Sequence, residues 1–236
     1  MQISVEQPTH STEFLAEILT LYRADLTGEA VGGGAPHIDT ARVKSLFREA
    51  HQFFKRRRQG GDSLANAIMA LTASEWDESE ITALTIGASI GIDASTTSLA
   101  PESLAPESSG SVGLGQRLYD LAVADFENGR VARAAVLLAI LTYAGVDVAN
   151  ALAGLAVCGT RLNNFDAALV LATECLRLSV KHPRAYFVAG LCEFQRGNRK
   201  VAQSLLATAA RFARQRPEFR ADMHAAQRLL LILHFG

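Results

Sequence analysis

The chain has 236 residues, 49% of them apolar, and a formal net charge of −1. That length allows one large domain or two small ones with an ample core, and so small a charge gives no bulk attraction to nucleic acid or anionic membrane. Residues 134–146, a stretch of 13 without charge, are too few to span a bilayer, so no membrane insertion is expected.

Residues 1–10 lack a basic start and an apolar run, so no signal peptide is expected. Residues 11–27 pattern as an amphipathic helix with Phe14, Ile18, Leu21 and Tyr22 on one side. Gly28 and the glycines at 32–34 stop it, and Pro36 prevents resumption. A second helix, with Asp39 or Thr40 as N-cap, turns Val43, Leu46, Phe47, Ala50, Phe53 and Phe54 inward and ends near Gly60 and Gly61. Asp62 or Ser63 caps a third helix through Ala73. Ser74 caps a fourth toward Ile90, with Glu75, Asp77 and Glu78 in a first turn that favours carboxylates. Residues 1–90 therefore read as a separate small helical region of unassigned role, without internal period. The basic run of Lys55, Arg56, Arg57 and Arg58 complements a helix C-terminus. No second basic patch with interleaved aromatics accompanies it, so nucleic acid is not an expected partner.

Residues 91–115 are rich in Ser, Gly and Pro, with LAPES at 99–103 repeated at 104–108. Pro101 and Pro106 make this stretch a semi-stiff linker rather than a helix, and the domain boundary is placed there.

From residue 116 to 217 one helical-hairpin pattern is written three times at a spacing of 34. Leu118, Leu152 and Tyr186 coincide, as do Ala122, Ala156 and Gly190; the turn residues Gly129, Asn163 and Gly197; and Ala134, Ala168 and Ala202. This is the tetratricopeptide period, whose small columns let two helix backbones cross closely. Pro217 opens a last helix with Phe219, Met223, Ala226, Leu230 and Leu233 at helical spacing, a cap for the final repeat. Leu229 to Leu233 is apolar all round, so that helix is expected to meet either the N-terminal helices or a second copy, which leaves a homodimer open. The fold class predicted is all-α: three tetratricopeptide hairpins and a capping helix over residues 116–236. The fragment 112–236 is expected to fold and hold a ligand alone.

No Walker A loop, dinucleotide fingerprint or zinc-ligand spacing occurs, and the six histidines never pair at four-residue spacing. No cofactor, metal or catalytic residue is expected, and the chain does not read as an enzyme. Cys158, Cys175 and Cys192 read as small core residues in a reducing cytoplasm. Stacked hairpins instead present a concave groove lined by their first helices. Its expected lining is Tyr119, Val123 and Phe126 from the first repeat; Asn150, Ala153, Val157 and Arg161 from the second; and Arg184, Phe187, Leu191 and Phe194 from the third. Phe187, Leu191 and Phe194 could instead pack against the capping helix.

The repeats resemble the class II, or translocator, chaperones of bacterial type III secretion over about half the chain. The residues that carry the resemblance are Leu118-Tyr119-Asp120-Leu121-Ala122, Glu127-Asn128-Gly129-Arg130, Ala153 to Cys158, Asn164 to Ala168, Pro183-Arg184 and Pro217-Glu218-Phe219. It implies a cytoplasmic bacterial chaperone that holds an extended apolar segment of a secreted translocator in the groove. A scaffold or regulatory adaptor joining two proteins is the alternative. Two departures stand out. About 110 residues precede the repeats, and Val123, Val131, Leu138 and Ala172 stand where the family's groove is commonly aromatic. Clients of the family resemble one another in a proline–x–leucine–x–x–proline motif, which Pro101 to Pro106 imitates with Leu104 one place late; an ordinary Pro/Ser linker is the expected reading, and self-docking in the groove is the alternative.

Overall fold

A computed structural model describes residues 40–73 and 110–235. The helices expected at 11–27 and 74–90, the caps placed at Asp39 and Ser74, and the prolines of the linker lie outside them. Among the described residues there are nine α-helices: α1 Thr40–Gln59, α2 Ser63–Thr72, α3 Gly110–Glu127, α4 Val131–Ala144, α5 Val148–Arg161, α6 Phe165–Leu178, α7 Pro183–Gln195, α8 Arg199–Ala213 and α9 Arg220–Phe235. A 3-10 turn, Pro217–Phe219, leads into α9. The pairs α3–α4, α5–α6 and α7–α8 are the three hairpins.

The repeat columns acquire physical reasons. Gly129, Asn163 and Gly197 all take positive φ (80°, 57° and 81°), so each hairpin turns through a left-handed residue. Ala134, Ala168 and Ala202 are fully buried where each second helix crosses its first. A Cβ on Gly159 would lie 2.9 Å from the Ala168 Cβ and 3.1 Å from its Cα, so this crossing admits nothing larger. Within the first hairpin, buried Asp125 accepts from Arg130 Nε at 2.8 Å and forms an ion pair with Arg133 at 2.8 Å, tying the end of α3 to the start of α4.

The linker expected to run to residue 115 is already helical from Gly110. The described part of the region that precedes the repeats, residues 40–73, packs onto them. Asp62 caps α2 through Leu64 N (2.9 Å) and Ala65 N (3.1 Å), and α2 lies against α4, α5 and α6. Phe54, Ile68, Met69 and Leu71 join the repeats' own core, and Phe53 and Phe54 meet Tyr143 edge-on. This accounts for α4, where every residue from Ala134 to Leu141 is buried. A helix apolar all round needs cover on every side, and α1 and α2 supply the side that the hairpins leave open.

The capping helix packs on α8 and α7. Phe219 and Ala226 are buried, whereas Leu231 and Ile232 remain more than half exposed. The expectation that the N-terminal helices cover α9 is replaced, for residues 40–73, by their packing on α4 to α6.

Candidate functional site

The first helices α3, α5 and α7 carry the predicted groove residues. Val123 is 40% exposed, and Phe126, Val157, Phe187, Leu191 and Phe194 are half-buried. Arg161 is exposed and lies over the Phe126 ring, 5.9 Å from its centroid, which joins the first two repeats at one end of these helices. Phe187 touches both the main core and the cluster of Leu206, Ala209 and Ala226 beneath the cap, so it is partly a packing residue.

Three expectations require correction. Ala153 is fully buried and presents no surface. Leu138 and Ala172, expected at aromatic groove positions, are also buried, because they belong to second helices that face the core. Fewer of the expected groove residues are therefore open to a ligand than the pattern suggested.

At the other end of the first helices lies a polar network. His182 N-caps α7, its Nδ1 accepting from Ala185 N at 3.4 Å while Pro183 takes the first helical position. That leaves Nε2–H to donate to Asn150 Oδ1 at 2.9 Å, and Asn150 Nδ2 donates to Asp147 at 2.7 Å. Asp147 itself sits at φ 41°, a left-handed conformation that Asp tolerates better than most residues. Burial, followed by the Arg184 and Arg216 charges, pushes the His182 pKa down to about 4, with Asp147 opposing. The ring is neutral at physiological pH.

Arg184 is the centre of the second half of the network. Its Nη1 donates to the Tyr119 hydroxyl at 3.2 Å, and its Nε and Nη2 fork onto the Asp222 carboxylate at 3.2–3.4 Å. Burial works against the Arg184 charge, but Asp222 and Tyr119 outweigh it and raise the pKa. Burial raises the Tyr119 pKa, with Arg184 pulling the other way. Phe219 is packed beside this network: Arg184 lies 5.4 Å over its ring and His182 meets it edge-on at 5.4 Å. Asn150 and Arg184, expected to meet a ligand's backbone, are therefore engaged inside the fold.

Sequence reasoning missed Asp147, His182, Phe219 and Asp222. The readable signals were a polar residue just before Pro183 and a carboxylate in the first turn of α9. Cys158, Cys175 and Cys192 are free and buried, with thiols pushed up by burial to about 12, 12 and 11. Cys175 donates to Ala149 O at 3.1 Å, a packing role between the two helices of the second repeat. Among the described residues no group of His, Cys, Asp and Glu is placed to hold a metal, and no helix is long and apolar enough to cross a membrane.

The fold is an all-α tetratricopeptide array whose first helices carry half-buried apolar side chains and, toward their N-terminal ends, a polar network. No family model matches the chain, and no curated protein matches it. Among solved structures it is similar to the type III secretion translocator chaperone SycD of Yersinia enterocolitica, at 24% identity over 52% of this chain and 91% of that one, TM-score 0.46. SycD in complex with a peptide of the translocator YopD is similar at 24% identity over 50% and 91%, TM-score 0.44. PcrH from Pseudomonas aeruginosa is similar at 22% identity over 55% and 96%, TM-score 0.45.

Proposed function

We propose that the chain is a chaperone of the type III secretion translocator class, which binds an extended apolar segment of a secreted protein along α3, α5 and α7. The observation that carries this reading is the set of partly exposed apolar side chains, Val123, Phe126, Val157, Leu191 and Phe194, on consecutive first helices. Residue-level resemblance in the repeats supports the specific class. Covering apolar surface contributes roughly 25 cal/mol per Å², less the cost of ordering the client, which suits modest affinity and release before export. The site holds no constellation suited to catalysis among the described residues, and a cytoplasmic location fits its three buried free thiols.

The experiment is a pull-down from the native cell with the parent chain and with a Val123→Glu, Leu191→Glu variant, read by mass spectrometry. The variant must first give the parent's circular dichroism. Retention by the parent of a secreted protein with an apolar segment, and its loss in the variant, is the expected result. Identical captured sets would refute the groove. An adaptor would yield two non-secreted partners, one of them retained by the variant.

A further inference from the structure

Stacked repeats ordinarily touch only their neighbours along the array. Here one contact skips a repeat. Tyr119 belongs to the first hairpin and Arg184 to the third, 65 positions apart, yet their side chains meet at 3.2 Å. The second hairpin clears the way, because the residue in the Tyr119 and Phe187 column is the small, buried Ala153. From Arg184 the connection continues to Asp222 of the capping helix. A single guanidinium thus joins the first repeat, the third repeat and the cap.

The separation between first and third repeats across the concave side is the chord of the array's curvature, and so the width of the groove. We propose that Tyr119, Arg184 and Asp222 form a strut that fixes this width, with Tyr119 and Arg184 acting as positioning residues rather than gripping the client. The donors used by the strut are those a client backbone would otherwise need. Nε and Nη2 of Arg184 are committed to Asp222, and one Nη1 hydrogen to Tyr119. The neighbouring Asn150 is committed in the same way to His182 and Asp147. The inference concerns the protein's shape, so it stands or falls independently of what the client is.

The test measures that shape. Spin labels at Glu127→Cys and His224→Cys, both exposed, report the distance from the first repeat to the cap by pulsed electron resonance on the full chain. The three native thiols are buried and held protonated, so the engineered ones are labelled first. Tyr119→Phe removes the hydroxyl and keeps the ring. Asp222→Asn removes the carboxylate charge from the other side of Arg184. Each should shift the distance distribution to longer, broader values while the thermal midpoint moves by only a few degrees, and the double variant should lengthen it no further than the larger single effect. A distribution unchanged by both substitutions overturns the strut, and so does strictly additive lengthening, which would mean two unconnected contacts.

Discussion

Replacing Gly159 with alanine should destabilise the protein relative to the same change at Gly154, five residues earlier on the same helix. Both substitutions gain the same intrinsic term, about 1 kcal/mol for Ala over Gly in a helix interior, so their difference isolates the steric cost. At Gly159 the new methyl would lie 2.9 Å from the Ala168 Cβ, 3.1 Å from its Cα and 3.2 Å from its backbone N. Only a movement of α5 away from α6 relieves that. At Gly154 the nearest atoms are the terminal methyls of Leu138, at 2.9 and 3.2 Å, which a rotamer change can withdraw. Overpacking a rigid crossing costs about 1–3 kcal/mol. Allowing part of that cost at Gly154 leaves a difference of about 1–2 kcal/mol, or roughly 2–8 °C in melting midpoint for a chain of this size. Thermal melts followed by circular dichroism give the answer. If Gly159→Ala melts level with or above Gly154→Ala, the close crossing is not what fixes the small columns of the repeat.

The fragment 112–236, expected from sequence to stand alone, should melt earlier than the full chain and bind a hydrophobic dye, because it lacks the Phe54, Ile68 and Leu71 cover over α4 and α6. Equal midpoints would deny α1 and α2 that role. His182 is neutral in the fold, with its pKa lowered to about 4 from an ordinary 6.5. The unfolded chain therefore binds more protons between those values, so this stabilisation is complete above pH 6.5 and is lost as pH falls toward 4, by up to about 3 kcal/mol. His182→Asn keeps an N-cap acceptor and should flatten denaturant-derived stability across that window; an unchanged slope refutes the assignment. Without denaturant at pH 8, a chromogenic disulfide should react with none of the three cysteines, and fast reaction of any one would show that its packing is wrong. Asp125→Ala should cost about 1–3 kcal/mol by removing the buried carboxylate that Arg130 bonds and Arg133 pairs with, measured as a fall in denaturation midpoint.

The hairpins were legible because their columns repeat, and each column reports a local necessity such as a left-handed turn at Gly129, Asn163 and Gly197 or a crossing at Ala134, Ala168 and Ala202. The half-buried apolar side chains of the first helices were legible for the same reason. Their polar companions were not, because period says nothing about contacts that leave the period. Arg184 looks like a groove cation in sequence and becomes a strut only when Asp222 arrives from the cap, 38 residues later. Ala153 occupied a groove column, but a side chain that small sinks below its neighbours. The cover over α4 was written in the chain without being read, since its unbroken apolar run calls for more packing than one hairpin partner provides.

That cover is distributed unevenly. The N-terminal pair fastens α4 and α6, whereas α8 turns Val201 and its polar outer face to solvent and depends on α7 and α9. In an array whose parts are held by neighbours, local opening begins where there are fewest of them. Amide hydrogens of α3, which packs chiefly on α4, and of α9 should exchange before those of α4. The ends of the array then come loose at lower cost than its middle. A segment held along α3, α5 and α7 as proposed would be let go by peeling from an end, with no need for the whole protein to unfold.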